Sequence, residues 1–143
     1  MYIITRLDVF ADVITGFNYV TAIEPGAFEG ACIHRLDLSD AKVNELSNLS
    51  WDEAAAEIEE IVWPVACKHM KKDVFNFIRN LKHIFFSDQD FLSIEKGTFS
   101  KIANTLSSVD FSHIMSLCIT SDNIDSLSSA NIPVAFSYYV TVL

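Results

Sequence analysis

Three cysteine and histidine neighbours are the first candidates for chemistry: Cys32 with His34, Cys67 with His69, and His113 with Cys118. Thiolate and imidazole are ligands of zinc and partners in nucleophilic catalysis. None of the pairs has the C-x2–4-C or H-x3–5-H spacing of common structural zinc sites. In a strand Cys32 and His34 would share a face, whereas on a helix Cys67 and His69 would point about 160° apart. A Cys-His nucleophile needs a thiolate favoured by its surroundings and a third group to orient the imidazole, and Cys67 with His69 or His113 is where such a site would be sought. No G-x-S-x-G, Walker, G-x-G-x-x-G or H-E-x-x-H pattern is present. Glu53 and Glu57 are spaced for acid-base work on one helix face, yet a solvated, capped helix accounts for them. No catalytic residue, metal or cofactor is assigned.

Binding chemistry is better represented than catalysis. Lys68, Lys71, Lys72, Arg79 and Lys82 would fall within roughly 60° of one direction on a helix, with Phe75 inside the stripe. Such a face either tracks a phosphate backbone, anchors a protein partner through Phe75, or is a polar helix face with Phe75 covered by a neighbour. The net charge of −9 disfavours nucleic acid. Charge is also unevenly distributed: residues 1–63 carry twelve acids and three bases, 64–86 one acid and five bases, and 87–143 six acids and two bases. An acidic region of this kind is complementary to a basic partner and associates with it quickly.

These groups must be positioned by elements that hydropathy spacing suggests. Ile3, Ile4 and Thr5 favour an N-terminal strand, after which Asp8 caps a short helix that Gly16 ends. Residues 17–23 and 30–36 read as a hairpin across Glu24-Pro25-Gly26. A short helical element is expected near 39–46. Ser50 and Glu53 form a capping box that opens a helix over 51–62, and Pro64 separates it from a second helix over 64–85. Residues 87–97 read as a loop or short strand, 98–107, 110–118 and 122–129 as short helical turns, and 134–143 as a terminal strand.

The expected fold is therefore α+β and mainly helical, with a small, mostly antiparallel sheet that includes the C-terminal strand. No fixed-period repeat, low-complexity tract or Gly/Ser linker is apparent, so one globular domain over 1–143 is expected. With 143 residues, half of them apolar, the chain can bury an ample core without staples. Disordered and fibrous classes are excluded by composition. Arg6, Asp8 and Asp12 break the apolar N-terminus, no apolar run approaches the roughly 20 residues that span a bilayer, and three widely spaced cysteines suit reduced thiols, so a cytoplasmic protein is expected.

In size, acidity and lack of motifs the chain resembles the bacterial immunity proteins that neutralise toxin domains, a likeness of profile rather than of any residue. The expected function is a protein-binding module, a stoichiometric inhibitor or immunity-type protein that neutralises a basic partner such as a nuclease toxin. The contact residues expected are Asp52, Glu53, Glu57 and Glu60, with Phe75 as a possible anchor. The alternatives are a small enzyme with a Cys/His site and a subunit of a larger assembly. No membrane partner is expected, and the chain would be a monomer, or a homodimer through an edge strand at Tyr138, Tyr139 and Val140.

Overall fold

The apolar residues that spacing assigns to helix faces fall instead on the inner side of a coil. A computed structural model describes residues 2–5, 10–24, 26–28, 30–46, 57–76 and 78–143. Twelve strands and one helix are found among them: β1 Tyr2–Ile4, β2 Phe10–Ile14, β3 Val20–Ile23, β4 Cys32–Asp37, β5 Glu60–Trp63, β6 His69–Met70, β7 His83–Phe86, β8 Gln89–Ile94, β9 Ser108–Asp110, β10 Ile114–Ile119, α1 Ser121–Ser129, β11 Val134–Ala135 and β12 Tyr139–Val142. From β5 onward successive strands alternate between a six-stranded sheet in the order β11-β9-β7-β5-β4-β2 and a four-stranded sheet in the order β12-β10-β8-β6; β1 and β3 pair in a separate two-stranded sheet. Every pairing is parallel.

The register shows why the chain coils. Ile14, Leu36, Ile61, Ile84, Val109 and Val134 are successive partners across the six-stranded sheet, an unbroken aliphatic column that faces the core. One position earlier, Val13, Arg35, Glu60, His83 and Ser108 form the outward row, as the two-residue period of a strand requires. Adjacent rungs are separated by one full coil, so Arg35, Glu60, His83 and Ser108 repeat at the 20–50-residue scale of solenoids. The fold is a parallel β-solenoid.

Two residues beyond the aliphatic column lies a second inward column at the corner between the faces: Leu38, Trp63, Phe86, Phe111 and Phe136. Phe111 packs on Phe86 with ring centres 5.5 Å apart and on Phe136 at 6.3 Å. Trp63 meets Phe75 edge-on and donates its indole N–H to the Cys67 carbonyl at 2.9 Å. Pro64 is buried immediately after β5, where pairing has ended and a missing N–H costs no ladder bond.

The expected α+β, mainly helical fold with an antiparallel sheet is thus corrected. The described residues of 64–85 form β6, a run of turns and the start of β7 rather than a helix, and 110–118 lie largely in β9 and β10. Residues 98–107 are turns, 41–46 have no regular structure, and β2 stands where a helix ending at Gly16 was expected. β3 and β4 are strands, but they belong to different sheets and form no hairpin. The capping box Ser50–Glu53 and the Asp8 cap lie outside the described residues. The physical reason is visible in the burial of Ile58, Ile61, Pro64, Cys67, Met70, Val74, Ile78, Leu81 and Ile84. Corners and turns interrupt the two-residue alternation of the short strands, so this subset of buried residues recurs three or four apart, the spacing of an amphipathic helix, with Trp63 and Phe75 buried between its members.

Several local expectations survive: strands at the N-terminus, within 17–23, 30–36 and 87–97 and in the C-terminal segment, and a helix at 122–129, realised as α1. Among the described residues no helix is long and apolar enough to cross a membrane. Because Phe111 is fully buried mid-column while Phe136 ends the column half-exposed, Phe111→Ala should lower the unfolding free energy by about 3–5 kcal/mol and Phe136→Ala by distinctly less. Urea denaturation of both variants checks the order.

Candidate functional site

The corner that holds the phenylalanine column also presents an outward column. Phe86-Ser87-Asp88, Phe111-Ser112-His113 and Phe136-Ser137-Tyr138 recur at intervals of one coil, with the aromatic residue inward and the third residue exposed. His113 Nδ1 lies 3.0 Å from Asp88 Oδ1, which ties two corners together. Ser137 is buried and donates its hydroxyl to the Phe111 carbonyl at 2.9 Å, which fixes the third. Asp110 accepts from both the amide and the hydroxyl of Ser112.

These corners and the adjoining ends of β8, β10 and β12 line an open cleft of about 830 Å³, formed by Asp88, Gln89, Asp90, Ser112, His113, Ile114, Met115, Tyr138 and Tyr139. Its rim is aromatic and acidic. Tyr138 and Tyr139 are 85% and 61% exposed and meet edge-on with ring centres 4.8 Å apart, and Met115 is 62% exposed. Asp90 bonds Lys68 at 2.7 Å, and that lysine holds its carboxyl below the ordinary aspartate range. Gln89 also lines the cleft but is only 7% exposed. Its Nε2 donates to the Phe91 carbonyl at 2.9 Å, while its Oε1 is buried without a hydrogen-bond partner. The rung partner of Gln89 on β10 is Ile114. An apolar side chain therefore suits this inward position, and an unpartnered amide oxygen there costs about 1–3 kcal/mol.

The residues expected to bind a partner are placed as follows. Asp52 and Glu53 lie outside the described residues. Glu57 is exposed just before β5, and Glu60 projects from β5 into an ion pair with Arg35 at 2.9 Å. Arg35 also lies over the Phe85 ring, 4.8 Å from its centre. Phe75 is 1% exposed, enclosed against Trp63, and offers nothing to a partner. The basic stripe is dispersed, since Lys68, Lys71 and Lys82 bond Asp90, Glu45 and Glu59 respectively, each 22–26 residues away and so one coil distant. Spacing along a supposed helix hid this cross-coil arrangement. The 25-residue interval between the Phe-Ser pairs at 86, 111 and 136 was the available signal for the corner cleft, and sequence reasoning missed it.

The Cys/His sites fare unevenly. Cys67 is buried, its Sγ donates to the His69 carbonyl at 3.3 Å, and burial pushes its pKa up, which disfavours a thiolate. His113 is engaged with Asp88 at the corner. Cys32 and His34 do share β4, beside a small cleft with Ala11 and Asp12, and His34 Nδ1 lies 3.2 Å from Asp12 Oδ1. Among the described residues no group of three or more His, Cys, Asp or Glu is gathered to hold a metal ion. Comparison with protein-family models, curated proteins and solved structures finds no match to the chain.

Two expected outcomes follow from these environments. A neutral-pH thiol reagent should modify the half-buried Cys32 and Cys118 in the folded protein and reach Cys67 only when denaturant opens the core. Glu45, Asp90, Asp110 and Asp122 all have lowered pKa values, caused chiefly by hydrogen bonds from Lys71, Lys68, Ser112 and Thr120. Groups depressed on folding contribute stability that is present above their unfolded pKa values and is lost as pH falls through the folded ones. Thermal unfolding should accordingly show little change from neutral pH down to about pH 5 and a falling midpoint below about pH 4.

Proposed function

We propose that the chain is a protein-binding module that takes a basic partner, and that it acts as a stoichiometric inhibitor of the immunity type by covering that partner's working surface. The observation that carries this reading is the corner cleft, in which Asp88 and Asp90 stand beside an exposed tyrosine pair and Met115. Exposed aromatics next to carboxylates suit a partner that brings cationic side chains on an apolar stem. A solenoid also sets the side chains of successive coils side by side on a fixed frame, which spares much of the ordering cost of association.

Two further features support the same class of partner. The net charge of −9 favours steered encounter with a basic surface. Lys68, Lys71 and Lys82 are already paired with carboxylates, which leaves them poorly suited to phosphate. Three free cysteines accord with a reducing, cytoplasmic setting. The module works as a monomer, or as a homodimer through the exposed edge strand β12.

Affinity capture of the tagged chain from its native lysate, washed at low and then high salt, tests the proposal. One basic protein should be retained stoichiometrically and lost at high salt. Asp88→Asn with Asp90→Asn should reduce its retention more than Glu57→Gln with Glu60→Gln, because Asp88 and Asp90 are the more exposed carboxylates and share the cleft with the tyrosine pair, whereas the Glu60 side chain is 34% exposed. Retention of nothing, or of a partner insensitive to both salt and the first pair of substitutions, would overturn the reading.

A further inference from the structure

We infer that the corner cleft receives the guanidinium group of an arginine side chain from a segment of the partner protein, an assignment that rests on the proposed reading of the chain as a binder of basic surfaces. The decisive residue is Gln89. Its place in the inward series is filled by Ile114 on the next rung, yet it carries an amide whose oxygen has no partner, in the lining of a cleft open to solvent. Positions that break the local packing rule without internal compensation are characteristic of sites completed by a ligand. What is lacking at Gln89 is a donor.

The remaining chemistry selects among donors. Asp88 is exposed, and beyond its contact with His113 it keeps acceptor capacity on its carboxylate; Asp90 is likewise exposed beyond its bond to Lys68. Carboxylates call for a cation, and the exposed rings of Tyr138 and Tyr139, which meet edge-on, favour one that is planar and weakly hydrated. A guanidinium offers five N–H donors in a rigid fork: enough to bond a carboxylate, lie against a tyrosine ring and, once the Gln89 side chain turns toward the cleft and uncovers its oxygen, still donate to Gln89 Oε1. An ammonium, as a compact and strongly hydrated charge, meets the carboxylates but stacks poorly. Arginine is therefore preferred over lysine, and a neutral isostere lacks the charge that the acidic rim requires.

The test is an NMR titration of the full chain with capped Gly-Gly-Arg-Gly-Gly, its lysine and citrulline counterparts, and free L-arginine. The arginine peptide should give saturable shifts at the Gln89 side-chain amide, His113, Tyr138 and Tyr139. The lysine peptide should bind at least about fivefold more weakly, and the citrulline peptide should not saturate. Free L-arginine should bind more weakly than the peptide; equal or tighter binding would overturn the assignment to a protein segment. Gln89→Leu should melt no lower than the unsubstituted chain, yet weaken the arginine peptide about fivefold and reduce its advantage over lysine. An arginine-peptide affinity left unchanged by Gln89→Leu, whatever the melting temperature, would overturn the role of Gln89. Tyr138→Ala, at a fully surface position, tests the stacking without risk to the core and should weaken the arginine peptide as well. Absence of saturable arginine binding while a basic protein is still captured from lysate would reject the cleft and leave the wider function standing; failure of both would reject both.

Discussion

The structure depends on one constraint: each coil must return to the same register as the one before it. Parallel strands cannot be joined by a tight hairpin, so the chain spends a full circuit between rungs, and the circuit is stable only if its inward side chains stack on those of its neighbours. The column from Ile14 to Val134 meets this condition with β-branched or leucine side chains at every level. The aromatic column through Trp63, Phe86, Phe111 and Phe136 meets it at the corner. An error of one residue would turn these side chains outward and bring the row containing Arg35 and Glu60 into the core.

Polar groups reinforce the same register. Arg35 with Glu60, Lys68 with Asp90, Lys71 with Glu45, Lys82 with Glu59 and His113 with Asp88 all join neighbouring coils. Exposed pairs of this kind add little stability individually, and their effect is to penalise slipped alignments. The buried Asn123 does more. It accepts from the Phe99 amide and donates to the Glu95 carbonyl and the Thr120 hydroxyl, while the neighbouring Asp122 accepts from the Gly97 amide. Gly97 has a φ of 84°, a conformation open to glycine at little cost, so the turn that α1 holds depends on that residue. The helix is thus tied to the turn that follows β8. The same regularity builds the corner cleft, because residues 25 apart, Asp88, His113 and Tyr138, become neighbours only when the coils stack.

Some of this was legible in the sequence. The N-terminal strand, the helix near 122–129 and the strand character of the C-terminal segment follow from local residue preferences, and the edge exposed at Tyr138, Tyr139 and Val140 follows from that strand. The rest depended on period. Between Ile58 and Ile84 a buried residue every third or fourth position satisfies a helix and a tight coil equally, and only the longer interval separates them. That interval is carried by Phe-Ser at 86, 111 and 136, and by Leu38 and Trp63 in the same column. Hydropathy reduces Leu, Trp and Phe to one class and hides it. The cleft was hidden for a related reason: Gln89 is an unremarkable polar residue until its rung partner Ile114 shows that the position faces inward.

The central claim is the parallel stacking itself, and a through-space NMR spectrum of the unmodified chain tests it most directly. The solenoid predicts contacts from the Ile84 methyl groups to those of both Ile61 and Val109, and from the Phe111 ring to the rings of Phe86 and Phe136. A continuous series of contacts between residues three and four apart over 64–85, with the cross-coil contacts missing, would restore the helix and contradict the account.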